Sequence, residues 1–117
     1  SSGLHSDTYL QCARVLMDPS RAARLCAALA GKIRDTLPEI RIDCVVAPAM
    51  GGVVVGYEMA LQLGVEGMFC ERQEGKFALR RGFALAAGAR VLVVEDVVTT
   101  GKSSLEAYEC IREAGAE

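Results

Sequence analysis

From residue 19 onward the chain alternates amphipathic stretches with short apolar runs. Ala22, Leu25, Cys26, Leu29, Ile33 and Leu37 recur at helical spacing. Asp18 supplies an N-cap, Pro19 sits in the first helical turn, and Pro38 closes the pattern. Together they predict an amphipathic helix over 19–37. Residues 44–47 form an apolar run suited to a strand buried on both faces. A loop holding Gly51 and Gly52 follows, then a helix over 53–63 stopped by Gly64, a strand over 65–70 and a second buried strand over 91–94. Between these strands, residues 72–82 are polar and charged and read as an exposed loop or hairpin. Ser103-Ser104-Leu105-Glu106 has the S-x-x-E form of a capping box. Leu105, Tyr108 and Ile111 then mark a core-facing stripe, with Gly115 as C-cap. Strands alternating with helices imply βαβ units, hence an α/β domain with an open parallel sheet flanked by helices. Residues 4–16 are ambiguous by pattern alone.

Composition narrows the class without changing this picture. A length of 117 residues fits one domain. The net charge of −2 gives no general attraction to nucleic acid or anionic membrane, so an anionic ligand must be met by a few placed cations and backbone amides. Three Phe, three Tyr and no Trp argue against an aromatic platform for single strands. No apolar run approaches the roughly 20 residues of a membrane span, and no signal-peptide pattern opens the chain. The five cysteines, Cys12, Cys26, Cys44, Cys70 and Cys110, lack C-x-x-C spacing and lie mostly in apolar stretches, as small core residues do in a reducing cytosol. Zinc ligation is disfavoured, because only His5 could complete a cysteine set. The chain opens abruptly at Ser1-Ser2-Gly3 and stops where a helix ends and another strand is expected, so it reads as an excerpt of a longer protein.

The chemistry concentrates after the last strand. Glu95 and Asp96 stand at the carboxyl end of the apolar run 91–94, where open α/β sheets bind ligands. Val97, Val98, Thr99, Thr100 and Gly101 then lead through Lys102 and Ser103 into a helix N-terminus, whose unpaired N–H groups and dipole attract a phosphate. The two carboxylates would repel that phosphate; they suit hydroxyl groups or a magnesium ion a few ångströms away. A phosphate at one end and a diol in the middle describe a ribose 5-phosphate. A single acid before a helix is ordinarily a cap, but two acids joined to T-T-G-x-S after four β-type residues are not the usual turn. Gly101-Lys102-Ser103 imitates the tail of a P-loop, yet Asp96 stands where that motif needs glycine, so Lys102 is expected to be a surface helix residue.

Residues 91–103 resemble the phosphoribosyl pyrophosphate (PRPP) signature of type I phosphoribosyltransferases. That resemblance implies the family's fold: one catalytic domain over 1–117, with a hood segment at 1–16 and an α/β core at 17–117. It also implies a PRPP site made of Arg72, Lys76 and residues Glu95, Asp96, Val97, Val98, Thr99, Thr100, Gly101, Lys102 and Ser103. Ala49, Met50, Gly51 and Gly52 resemble the family's pyrophosphate loop. The orotate enzymes often carry lysine there, where this chain has Gly51 or Gly52 instead, so contact would be through backbone, with a strained or cis peptide near Ala49-Met50. On their own, these glycines are as readily a tight turn.

Residues 71–83, E-R-Q-E-G-K-F-A-L-R-R-G-F, would in most proteins be a solvated charged loop. Here they resemble the mobile loop of orotate phosphoribosyltransferases, whose basic residues reach the neighbouring site of a homodimer. Gln73 replaces a common lysine and Ala78 a frequent histidine. Ser2-Gly3-Leu4-His5-Ser6-Asp7-Thr8-Tyr9 resembles S-G-x-x-S-x-x-Y of the hood, which makes 9–15 a hood strand; His5 falls at an often basic position, though a terminal histidine is usually just exposed. The implied enzyme is cytoplasmic and Mg²⁺-dependent. It transfers the phosphoribosyl group of PRPP to orotate, giving orotidine 5′-phosphate and pyrophosphate in pyrimidine biosynthesis. Asp96, Glu95 and Lys76 are its catalytic residues and Thr99 touches orotate. Mg²⁺ is held mainly through PRPP and water rather than by direct protein ligands. The alternatives are a purine phosphoribosyltransferase and a PRPP-sensing regulator of the same fold. A phospho-acceptor domain would need a further acid where Ala47-Pro48-Ala49 stands.

Overall fold

The computed structural model describes residues 3, 5 and 7–116. A short helix, α1 (Cys12–Leu16), and a long one, α2 (Pro19–Thr36), open it. There follow β1 (Cys44–Pro48), α3 (Gly52–Leu63), β2 (Glu66–Gln73), β3 (Lys76–Leu79), β4 (Val91–Val93) and α4 (Lys102–Glu113). The sheet order is β3-β2-β1-β4. β1 runs parallel to both β2 and β4, and β3 returns antiparallel to β2. The sheet is therefore mixed: the parallel arrangement expected from the alternation holds for three strands, and the charged segment adds a fourth as a hairpin. Its turn is Glu74-Gly75, both at positive φ (50° and 86°), the two-residue geometry that matches strand twist.

β1 is buried along its whole length, and its alternation divides the core. Val45 joins Ala22, Cys26, Ala30, Val55 and Met59 beneath α2 and α3. Val46 joins Cys70, Phe77, Ala107 and Ile111 beneath α4. α3 lies very close to the sheet: a Cβ at Gly56 would stand 2.7 Å from Ala47 Cβ, and one at Gly67 2.9 Å from Ala60 Cβ. Arg90 and Asp43 tie the starts of β4 and β1 together, Arg90 N–H donating to Asp43 Oδ2 at 3.0 Å and Asp43 N–H to Arg90 O at 2.9 Å.

Local signals hold at several element ends. Asp18 caps α2, accepting from Ser20 N–H at 2.9 Å and Arg21 N–H at 3.2 Å, and Gly64 ends α3 at φ 70°. Three expectations need correction. The strand over 9–15 does not form. Residues 12–16 are helical, and only Leu16 is buried there, because the segment packs on α2 and meets no strand edge. The stripe on α4 is Ala107 and Ile111; Leu105 is 63% exposed and Tyr108 48%. The same happens on α2, where Ala22, Cys26 and Ala30 face inward while Leu25 is half exposed. Close approach of a helix selects small residues at the contact, so side-chain size misplaces the stripe. Finally, no side chain caps α4, whose N-cap is Gly101; Ser104 and Glu106 are otherwise engaged.

Candidate active site

Residues 95–103 lie at a reversal of strand order. From β1 the chain crosses to β2 on one side, and later to β4 on the other. The carboxyl ends of β1 and β4 are thus adjacent, with loops leaving in opposite directions, and such a switch point opens a ligand crevice. β4 keeps its pairing one residue further, Val94 N–H donating to Val46 O at 3.1 Å. Glu95 and Asp96 follow, both half-buried, and Val97, Val98, Thr99 and Thr100 are exposed.

Gly101 adopts φ 76°, a left-handed conformation that glycine takes without strain, and turns the chain into α4. Thr100 Oγ1 accepts the Lys102 N–H at 3.4 Å. Gly101 as N-cap has no side chain to offer, so beyond Lys102 the first turn of α4 keeps N–H groups for the loop, the arrangement that binds anions. Lys102 has a side chain 79% exposed and 3.8 Å from Glu106, the surface residue expected.

The second loop follows β1. The Ala49-Met50 peptide is cis, in keeping with the sequence expectation, and Ala49 N–H donates to Cys70 O at 2.8 Å. Gly51 has an ordinary helical φ of −59°, so its need for glycine is one of space. A Cβ there would lie 2.5 Å from Asp96 Oδ2 and 2.7 Å from Oδ1. The Asp96 carboxylate rests directly against the Gly51 backbone, and the two loops form one site. Below them Cys70 is fully buried, and burial pushes its thiol up to about 11. It is therefore protonated near neutrality, as a core residue rather than a nucleophile.

The cations are placed differently from a free loop. Arg72 belongs to β2 and Lys76 to β3. The Arg72 guanidinium stacks over Phe77 at 4.3 Å, donates to Gly75 O at 3.0 Å and pairs with Glu106 of α4. Lys76 is exposed beside the hairpin turn. Arg81 pairs with Glu71 through two bonds of 2.7 and 2.9 Å, which holds the Glu71 carboxyl below its ordinary range. The structure thus joins Glu95 through Ser103 with Gly51, and holds Arg72 against Glu106 of α4. Sequence reasoning missed two contributors, Ser104, whose hydroxyl donates to Glu95, and Glu106, the partner of Arg72; Gly51 belongs to the expected pyrophosphate loop, and its contact with Asp96 is what the structure adds. The S-x-x-E signal of Ser103 and Glu106 marks only Glu106 of these, and marks it for a cap. His5 is exposed, and Ser2, Leu4 and Ser6 of the opening motif lie outside the described residues.

The fold and the site together define an α/β domain with an acidic pair and a helix-initiating loop at the switch point of its sheet. The family model of the phosphoribosyl transferase domain matches residues 16–117, and the chain belongs to that family. The orotate phosphoribosyltransferase of Novosphingobium aromaticivorans is 63% identical over 117 residues, which cover 100% of this chain and 60% of that protein. That of Rhizorhabdus wittichii is 60% identical over 100% of this chain and 59% of its own length. Among solved structures, Saccharomyces cerevisiae adenine phosphoribosyltransferase, complexed with an imino-altritol bisphosphate and adenine, superimposes with a TM-score of 0.77 at 26% identity. That match covers 88% of this chain and 66% of that one. The chain spans about 60% of the length of the orotate relatives it matches.

Proposed function

We propose that this protein is an orotate phosphoribosyltransferase, making orotidine 5′-phosphate and pyrophosphate from orotate and PRPP. The carrying observation is the cradle of residues 95–103 abutting Gly51, in a chain 63% identical to an orotate enzyme. The adenine enzyme shares the fold at only 26% identity, so a purine substrate is the weaker reading.

In the reaction the C1–O bond to pyrophosphate breaks and the C1–N bond to orotate forms, through a sugar cation. The protein's work is positioning and charge stabilisation. The loop of Val97, Val98, Thr99, Thr100, Gly101, Lys102 and Ser103 seats the 5′-phosphate, while Glu95 and Asp96 hold the ribose hydroxyls and offset positive charge on the sugar. Thr99, exposed at the rim, meets orotate. Ala49, Met50, Gly51 and Gly52 meet pyrophosphate through backbone groups, and Arg72 and Lys76 neutralise it as it leaves. Arg72 must first exchange Glu106 for the ligand, and a pair this exposed, 45% and 27%, gives way readily.

Mg²⁺ would be held mainly through PRPP oxygens and water rather than by direct protein ligands, as suits a cation that keeps several waters and takes substrate phosphates. Mg²⁺ would supply charge neutralisation at the pyrophosphate. We further propose a cytoplasmic homodimer with residues 72–83 serving the neighbouring site. The exposed apolar residues Val54, Tyr57 and Leu61 along α3, beside Met50, support an interface, and five free cysteines support a reducing compartment.

The test is product formation by the full-length protein with PRPP, Mg²⁺ and, in turn, orotate, adenine, guanine and xanthine. Orotate-specific formation of nucleotide and pyrophosphate is expected. Turnover of a purine alone would refute the orotate reading, and PRPP binding without turnover of any base would favour a sensor.

A further inference from the structure

We propose that Ser104 is a positioning residue that fixes the Glu95 carboxylate relative to the phosphate loop; the inference rests on the PRPP reading of this site. Ser104 lies half-buried in the first turn of α4, and its hydroxyl donates to Glu95 Oε2, nine residues back along the chain. A helical serine ordinarily turns to a carbonyl of its own helix or to water. Here it reaches off the helix to the acid at the end of β4.

The consequence is mechanical. Between Glu95 and α4 the chain passes through Val97, Val98, Thr99 and Thr100, all exposed and outside any helix or strand. Such a segment holds a glutamate poorly, because the side chain has three rotatable bonds and loses much freedom when ordered. The Ser104 bond bypasses the loop. It ties the acid to the same helical turn whose N–H groups face the phosphate seat. The spacing between the diol-binding acid and the phosphate seat is then set by one turn of helix. The bond also occupies one carboxylate oxygen and leaves Oε1 for a ribose hydroxyl.

The experiment is calorimetric titration of the full-length protein with PRPP and Mg²⁺, which needs no assumption about the base. Ser104→Ala is expected to weaken PRPP binding about tenfold, the scale of a lost hydrogen bond to a charged group. Ser104→Thr keeps binding near the native value, while Ser104→Val, isosteric with that threonine, does not, which separates the hydroxyl from packing. In a Glu95→Ala background, Ser104→Ala adds nothing, because the two residues act as one unit. Native affinity in Ser104→Ala or Ser104→Val, or a full additional loss in the Glu95→Ala background, overturns the positioning role while leaving the PRPP reading intact. Failure of the unmutated protein to bind PRPP overturns both.

Discussion

Gly51→Ala tests whether the two loops form a single site. The added Cβ would lie 2.5 Å from Asp96 Oδ2, where ordinary contact begins near 3.4 Å, so something must move by about 0.9 Å. The backbone need not, because φ at Gly51 is −59°, a conformation alanine adopts freely. Removing glycine from such a position stabilises by roughly 0.4–1 kcal/mol through the unfolded chain. The atoms in conflict are the end of one half-buried side chain, so the Asp96 carboxylate swings away while the fold stays. A displacement near 1 Å in a reacting geometry costs on the order of 10²-fold in rate, or about 2.7 kcal/mol in the barrier. The expected outcome is a melting temperature within a few degrees of the native value and kcat/KM for PRPP about 10²-fold lower. Steady-state formation of orotidine 5′-phosphate, beside a thermal melt of the same sample, measures both. A folded Gly51→Ala protein within threefold of native kcat/KM would refute the reasoning, since Asp96 would then either tolerate the displacement or play no part.

Gly56→Ala should do the opposite. Its Cβ meets Ala47 Cβ at 2.7 Å in the core, so stability should fall by about 1–3 kcal/mol in urea unfolding; unchanged stability would mean α3 is not pressed onto β1. Lys76→Ala should lower turnover by roughly 10²-fold, the scale of a lost electrostatic contact in the transition state, and near-native kcat in the full-length protein would remove Lys76 from the mechanism. Acid should destabilise the fold in a definite window. Asp18, Asp43 and Glu71 are all held below their ordinary range, chiefly by the Ser20 hydroxyl, the Arg90 N–H and the Arg81 guanidinium respectively. Their contributions are complete above the unfolded carboxylate values, about pH 4, and are lost as pH falls through the lower folded values. Melting temperature should hold down to about pH 5, then decline, and Arg81→Gln should flatten part of that decline. A melting temperature that rises below pH 5 would contradict these pairings.

Much of the scaffold was legible because it is local. Asp18-Pro19 starts α2, Gly64 stops α3, and the run 44–48 becomes a strand buried on both faces, each through chemistry confined to a few neighbouring residues. The phosphate loop belongs with these, since Gly101 and the following helix form a contiguous unit and Glu95 and Asp96 leave a strand at its carboxyl end. The segment 71–83 shows where local reading stops. Its charges mark it as exposed, but whether it is a loop or a strand pair depends on β2 offering an edge and on Phe77 finding the space beneath α4.

By itself, then, the sequence determined α2, α3 and α4, the parallel strands β1, β2 and β4, the acidic pair, the loop that follows it and the family signature they spell. Tertiary structure alone decided which residues meet across the chain: Asp96 against Gly51, Ser104 on Glu95, Glu106 on Arg72. It also decided that Ala107 rather than Leu105 faces the core and that residues 12–16 coil into a helix. The physical reason is common to all of these. Backbone propensity and capping act over about four residues, whereas pairing and burial depend on how closely distant elements approach. That distance is set by the packing of the whole domain.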